Sequence, residues 1–408
     1  IEERGDPWIN LGDDLRFLPG GEFLWSSERT GFRHLSLHAA DGSILRELTA
    51  GEWMVTAVVA LDAARRVVYF QGTRDGVLER HLYRVSLDGG PIARITDGAG
   101  WHDPIVAPDT GLYVDRFGSL DAAPTLTLRL LDDNAAVATL FADESATAGA
   151  LGLRPPELAS FPGPDGTPLQ AAIYAPPGAA TGDRRHPLIV AVYGGPHAQL
   201  VANTWGLTID LRAHYLAQQG YVVLKVDNRG SANRGLAFEA ALAGDMGRVE
   251  VADQVAGVRW LAGRPYVDSG RVGITGWSYG GYMTLMALLR APEVFSVGVA
   301  GAPVTHWDGY DTHYTERYMG HPAANAVGYR ESSPLTHIAA LRGKLLLIHG
   351  MVDENVHFRH TARLVAALTA ADRPYDLAIF PEERHMPRDA KGLEYLERRL
   401  VEYFQAHL

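Results

Sequence analysis

A chain of 408 residues is longer than one ordinary domain and long enough to bury a large core. Its 47% hydrophobic and 21% charged residues describe a folding, globular sequence, and the net charge of −11 argues against a nucleic-acid partner, which needs a basic face. The absence of cysteine excludes disulfides, thiolate catalysis and cysteine-ligated zinc, and no apolar run is long enough to read as a membrane span.

The chain begins Ile1-Glu2-Glu3, with neither a methionine nor a signal-like segment, so the sequence reads as processed or truncated at its start. Residues 1–150 read as β structure. Short alternating runs are divided by turn signals at Pro19-Gly20-Gly21, Asp41-Gly42, Asp75-Gly76, Asp88-Gly89-Gly90 and Asp97-Gly98. Arg33-His34-Leu35 returns as Arg80-His81-Leu82, and Leu48-Thr49-Ala50-Gly51 returns as Ile95-Thr96-Asp97-Gly98. Both offsets are about 47 residues, near the length of a four-stranded propeller blade. At that period the segment holds about three blades, whereas closed propellers have four to eight. The expectation is therefore the C-terminal blades of an incomplete propeller, with the remaining blades on a missing N-terminal segment or a companion chain.

Residues 151–408 change texture after a crossing at Leu151 to Pro156. A hairpin is expected from Glu157–Phe161 and Leu169–Ala175. Apolar runs then alternate with helical stretches: Leu188–Val192, Tyr221–Val226, Val272–Ile274, Ser296–Val299, Leu345–Ile348 and Tyr375–Phe380. Such runs suit strands buried on both faces of a parallel sheet, and the alternation predicts a doubly wound α/β domain closed by a helix over Glu394 to Leu408. Chemistry in such sheets gathers beyond the carboxyl ends of the strands. Tyr193, Asp227, Ser278, Asp353 and His385 all fall there.

Gly276-Trp277-Ser278-Tyr279-Gly280 stands between a strand and a helix, the pattern of a nucleophile elbow, with the acid and histidine following in the expected order. Serine needs a base within reach and the base needs an orienting acid. The reading assigns Ser278 as nucleophile, His385 as general base and then acid, and Asp353 as the group that fixes the imidazole tautomer. Asp376 is a rival acid at the wrong end of its strand. His349, His357 and His360 are rival bases that share the acid's loop. The oxyanion donors are expected at the Tyr279 backbone N–H and in the glycine-rich loop of Tyr193, whose hydroxyl can donate. This chemistry calls for no cofactor and no metal.

The runs Val192-Tyr193-Gly194-Gly195-Pro196, Asp227-Asn228-Arg229-Gly230-Ser231, Gly276 to Tyr282, Ala302-Pro303-Val304, Tyr314 to Gly320 and His349 to His357 together resemble the prolyl oligopeptidase family, dipeptidyl peptidase IV branch. The resemblance implies an α/β-hydrolase fold behind propeller blades. It implies a side-chain oxyanion donor at Tyr193 and a pocket for proline or a small residue walled by Tyr279, Val304, Trp307, Tyr310, Tyr314 and Val356. Asn355 would hold the substrate backbone carbonyl. It further implies a peptide substrate with a free N-terminus and a homodimer built from the final helix and propeller edge. The branch holds the substrate amine with a glutamate pair, and Glu2-Glu3 lacks the surrounding motif. The functions in play are a dipeptidyl peptidase cleaving after proline or alanine, an acylaminoacyl-peptidase or oligopeptidase of the same family, a carboxylesterase, and a non-catalytic binding protein. The compartment stays open between a bacterial periplasm and cytoplasm, with the periplasm favoured.

Overall fold

The computed structural model describes residues 1–143 and 146–408. Two compact units divide the chain. The first holds Ile1–Pro155 with Ala202–Asp210 and Ala232–Glu239, and the second holds Pro156–Val201, Leu211–Ser231 and Ala240–Leu408.

The first unit carries three four-stranded antiparallel sheets in plain meander order. They are β1 (Arg16–Phe17), β2 (Phe23–Ser27), β3 (His34–His38) and β4 (Ile44–Glu47); β5 (Val55–Asp62), β6 (Val67–Gly72), β7 (His81–Ser86) and β8 (Ala93–Arg94); and β9 (Trp101–Ala107), β10 (Leu112–Gly118), β11 (Thr125–Leu130) and β12 (Ala136–Ala142). These are the three expected propeller-type blades. One core, including Leu24, Leu35, Val68, Phe70 and Tyr83, joins residues of the first two sheets.

The sequence echo has a structural cause. His34 starts β3 and His81 starts β7. The Nδ1 atoms of these rings lie 3.0 and 3.1 Å from the hydroxyls of Thr49 and Thr96. Each hydroxyl also accepts the next backbone N–H, from Leu35 at 2.9 Å and from Leu82 at 3.1 Å. Nε2 of each ring faces a pure acceptor, the Gly51 carbonyl or the Glu79 carboxylate, so Nδ1 must accept and the threonine must donate. Burial pushes both rings toward the neutral form. The repeat is thus a buried device that pins a strand start to the segment after the next strand.

The second unit is built on one eight-stranded sheet. Its strands are β13 (Glu157–Pro162), β14 (Pro168–Tyr174), β15 (His186–Ala191), β16 (Val222–Asp227), β17 (Val267–Trp277), β18 (Val297–Gly301), β19 (Lys344–Gly350) and β20 (Asp376–Phe380), in the order β13-β14-β16-β15-β17-β18-β19-β20. β13 and β14 pair antiparallel with each other, β14 pairs antiparallel with β16, and the remaining pairs are parallel. The apolar runs fill the centre: Leu188, Ile189, Val190, Leu346 and Leu347 are fully buried because helices cover both faces. From β15 the chain moves to one side of the sheet and from β17 to the other. The loops after these two neighbours therefore open the crevice where ligands bind in such sheets. The closing helix starts earlier than expected, at Ala390, because Asp389 caps the N–H groups of Lys391 and Gly392. It buries Leu396, Leu400, Tyr403 and Phe404 along one stripe. No helix among the described residues is long and apolar enough to cross a membrane.

Replacing Thr49 or Thr96 by valine keeps the shape and leaves a buried N–H and a ring nitrogen without their partner. Each change is expected to lower stability by about 1–3 kcal/mol, while serine at the same position loses less. Urea titration of the parent and the four variants checks this, and valine variants as stable as the parent would contradict it.

Candidate active site

Strand β17 ends at Trp277, and Ser278 turns the chain into the helix Tyr279–Arg290. Ser278 is held at φ 61° and ψ −118°, a conformation that side-chain-bearing residues avoid. The turn is fastened on both sides. The Ser278 N–H donates to the Gly301 oxygen on β18 at 2.9 Å, and the Ser278 carbonyl accepts from the Tyr282 N–H at 3.0 Å. A Cβ at Gly276 or Gly280 would strike the Val192 oxygen, and one at Gly281 would strike the Gly301 oxygen. The side chains are missing where backbone from neighbouring strands converges on the turn. The Tyr279 N–H lies in the first helical turn, where amides lack intrahelical partners and the dipole favours negative charge.

Asp353 follows β19 and His385 follows β20. Their loops are laced together by Met351 N–H to Phe380 O at 3.0 Å and Val352 N–H to Glu383 O at 3.1 Å. Trp277, the residue before the elbow serine, donates from its indole to the His385 carbonyl at 2.7 Å. Asp353 Oδ2 lies 2.7 Å from His385 Nδ1. A carboxylate only accepts, so Nδ1 carries the proton and Nε2 is left as the basic nitrogen. Among the described residues no hydrogen bond joins the Ser278 hydroxyl to the His385 ring. Such contacts are often long in unliganded sites and tighten with substrate.

Asp353 is buried, with four donors. Oδ2 also meets His349 Nε2 at 3.1 Å, and Oδ1 accepts the Asn355 and Val356 N–H groups, each at 2.9 Å. Burial pushes its carboxyl up, but the hydrogen bonds from His349 and His385 and the backbone outweigh this and hold it well below the usual carboxylate range. The rivals stand elsewhere. Asp376 accepts from Tyr403 at the far end of β20. His357 is exposed, and His360 packs against His306 with the rings tilted, 4.3 Å apart, and accepts from the Thr305 N–H.

The loop after β15 brings Tyr193 to the same edge. Its ring centroid lies 6.1 Å from that of Tyr279, and Gly195 is bare because a Cβ would press on both rings at 2.8 and 2.9 Å. Gly194 takes φ +78°, and its oxygen accepts from Asn228, which in turn accepts from Gln254. Asp227 receives the N–H groups of Leu200 and Val201. The Asp227-Asn228 pair thus shapes the loop that carries Tyr193.

The expected pocket aromatics form one connected set around Trp307. Its ring lies 5.5 Å from Tyr279, 6.0 Å from Tyr310 and 6.2 Å from Tyr314, and Tyr310 meets Tyr314 edge-on at 5.5 Å. Tyr310 donates to the Asn355 side-chain oxygen at 2.8 Å. Val304 and Val356 are buried, Val356 beside the acid through its N–H. Tyr282 joins the set against Trp307 at 5.0 Å and was not anticipated.

Glu250 was also missed. It is fully buried, and its Oε1 accepts from Tyr279 Oη and the Gly247 N–H, each at 2.8 Å. Burial pushes its carboxyl up to about 7. The signal in the sequence is faint. Glu250, Asp253 and Gln254 share one face of the helix Val249–Leu261 that the surrounding valines mark as inward.

An elbow serine at the switch point of an eight-stranded sheet, with an acid–histidine pair beyond the ends of the last two strands, defines an α/β-hydrolase domain. Residues 207–408 match the prolyl oligopeptidase family, and residues 1–124 match the dipeptidyl peptidase IV N-terminal region. All of the chain aligns at 39% identity with half of dipeptidyl peptidase 8 of Homo sapiens. Of the chain, 94% aligns at 34% identity with 44% of a probable dipeptidyl-aminopeptidase B of Emericella nidulans. Among solved structures, dipeptidyl peptidase 4 of Porphyromonas gingivalis superimposes with a TM-score of 0.90 at 31% identity, over 97% of this chain and 56% of that one. A putative dipeptidyl aminopeptidase IV of Bacteroides ovatus gives 0.88 at 32% identity. This chain belongs to the prolyl oligopeptidase family, on its dipeptidyl peptidase IV branch. It spans about half the length of the curated relatives it matches.

Glu250 gives the site a pH-dependent stability. Its folded value, about 7, lies above its ordinary 4.5, so the folded chain holds a proton that the unfolded chain releases. The contribution is fully present below about pH 4.5 and is lost as pH rises through 7, at about 1.4 kcal/mol per pH unit at most. Glu250→Gln keeps an acceptor and has no charge, so it is expected to gain on the parent between pH 5 and pH 7 in urea titrations. Parallel stabilities across that range would contradict the assignment.

Proposed function

We propose that this chain carries the catalytic machinery of a serine peptidase that releases dipeptides with proline or alanine second from peptides with a free N-terminus. The observation that carries the reading is the 2.7 Å Asp353–His385 pair whose loop is tied by Trp277 to the turn holding Ser278. In this reading His385 Nε2 takes the Ser278 hydroxyl proton as Oγ attacks the scissile carbonyl carbon. Asp353 holds the Nδ1–H tautomer and stabilises the imidazolium that forms. The carbonyl oxygen becomes an oxyanion, received by the Tyr279 N–H and the Tyr193 hydroxyl. Burial raises the Tyr193 phenol above its ordinary value, which keeps it protonated and able to donate. His385 then passes its proton to the departing amine, and water resolves the acyl-enzyme by the same route reversed.

Specificity in this reading comes from the aromatic set. Trp307 and Tyr314 lie nearly parallel, 20° apart, with Tyr310 edge-on to both, a flat-walled shape that suits a pyrrolidine ring. The names of the relatives, dipeptidyl peptidases and dipeptidyl-aminopeptidases, support dipeptide release as the activity of the whole protein. Asn355 is the residue proposed to hold the substrate carbonyl, and its amide nitrogen stays open to that role because its oxygen takes the Tyr310 hydroxyl.

Chromogenic Gly-Pro and Ala-Pro amides, with free and blocked N-termini, test the reading on the full-length protein. Turnover is expected only with a free amine. Equal turnover of blocked substrates would point to the acylaminoacyl-peptidase or oligopeptidase alternative, and turnover of simple esters alone to a carboxylesterase. Ser278→Ala is expected to lower kcat by about 10⁴ or more. Tyr193→Phe is expected to lower it by about 10²–10³ with little change in KM. A Ser278→Ala protein with parental turnover would overturn the assignment.

A further inference from the structure

Asp353 Oδ2 receives two ring nitrogens from two sides, His385 Nδ1 at 2.7 Å and His349 Nε2 at 3.1 Å. His349 is the penultimate residue of β19 and is fully enclosed. Its Nε2 also faces the Val356 carbonyl at 2.8 Å. Both partners of that nitrogen are pure acceptors, so Nε2 must carry hydrogen. Nδ1 lies 2.7 Å from the hydroxyl of Thr361, on the helix Arg359–Ala370, and in a neutral ring it accepts the hydroxyl proton. The two acceptors fix the proton at Nε2, and the Thr361 hydroxyl answers from behind by donating to Nδ1, as the threonines do at His34 and His81 in the blades. We propose that His349, its Nε2–H strengthened by the hydroxyl bond from Thr361 to Nδ1, is a positioning residue that holds Asp353 against His385 and limits how strongly the acid pulls on the base. This rests on the assignment of Asp353 and His385 under the proposed function.

The physical argument concerns shared charge. Each N–H donated to Oδ2 takes up part of the carboxylate's negative charge. Asp353 then stabilises the His385 imidazolium less, and the base stays free at lower pH. The second bond, to the Val356 oxygen, closes the turn whose amides of Asn355 and Val356 hold Oδ1. One ring thus fixes both the charge and the orientation of the acid. The other titratable groups nearby are His360, pushed down to about 3 by burial, His306, pushed down to about 4 by burial, Tyr310 through Asn355, and the exposed Arg384–Glu354 pair. None of them is changed by the substitutions below.

The test is the rate of inactivation by a small fluorophosphonate, measured from pH 5 to 9, which reads the base at Ser278 without requiring any peptide to bind. Removing the donor with His349→Phe is expected to move the acid limb of that profile up by about half to one pH unit, because Asp353 then grips the imidazolium more strongly. His349→Gln, which offers an amide N–H, is expected to bring the limb back toward the parent. Thr361→Val keeps the shape and removes only the hydroxyl, so it is expected to shift the limb in the same direction, whereas Thr361→Ser is not. This second pair decides the matter if His349→Phe does not fold. Limbs that superimpose for Thr361→Val and the parent, or a Thr361→Ser protein more displaced than Thr361→Val, would reduce His349 to packing and overturn the inference alone. A parent chain that is not labelled, or that is labelled equally after Ser278→Ala, would overturn the catalytic reading beneath it.

Discussion

Ser278 stands at φ 61° and ψ −118° because β17 must turn at once into the helix Tyr279–Arg290 with its hydroxyl outside the sheet. A non-glycine residue in such a region costs about 1–3 kcal/mol, and it persists only where its surroundings over-determine it. Here they do. The N–H is bound to Gly301, the carbonyl starts the helix, and three glycines admit the Val192 and Gly301 oxygens into space that a side chain would fill. The turn in turn dictates the order of everything around it. The helix points its free amides at the serine, β15 supplies Tyr193 next door, and Trp277 reaches across to the His385 loop.

Around that turn the polar groups are few and heavily shared. Asp353 answers to two histidines and two amides, and Glu250 to Tyr279 and Gly247. The outcomes differ because the donors differ. Four donors hold the Asp353 carboxyl low despite its burial, whereas two leave Glu250 high. An ionised acid opposite His385 and a protonatable one behind Tyr279 suit different tasks. In the proposed mechanism the first orients the base, and the second holds the Tyr279 hydroxyl without adding a permanent charge beneath it.

Much of this was legible in the residues. Leu345–Ile348 and Val272–Ile274 read as strands because a strand buried on both faces shows an unbroken apolar run. The elbow was readable because its glycines stand between an apolar run and a helical stretch, with an acid and a histidine following in order, and the 47-residue echo because a buried His–Thr pair repeats the same two residues in the first two blades. What escaped was contact between positions distant in sequence. Glu250 lies 29 residues before Tyr279, and nothing local shows that the two meet. His349 looked like a competing base because the sequence places it beside Asp353, whereas the fold buries it with its Nε2 on the same carboxylate oxygen that His385 meets. The residues 202–210 and 232–239 belong to the first compact unit although they interrupt the α/β sequence, and no composition change marks them.

In the proposed mechanism one strained serine, Ser278, is the nucleophile of this chain. Peptide mapping by mass spectrometry after treatment with a fluorophosphonate tests it most directly. The expected result is a single adduct on the peptide that contains Ser278, lost on denaturation before treatment and greatly slowed by His385→Ala. An adduct on another residue, or an unmodified Ser278 in a folded chain, would contradict the account.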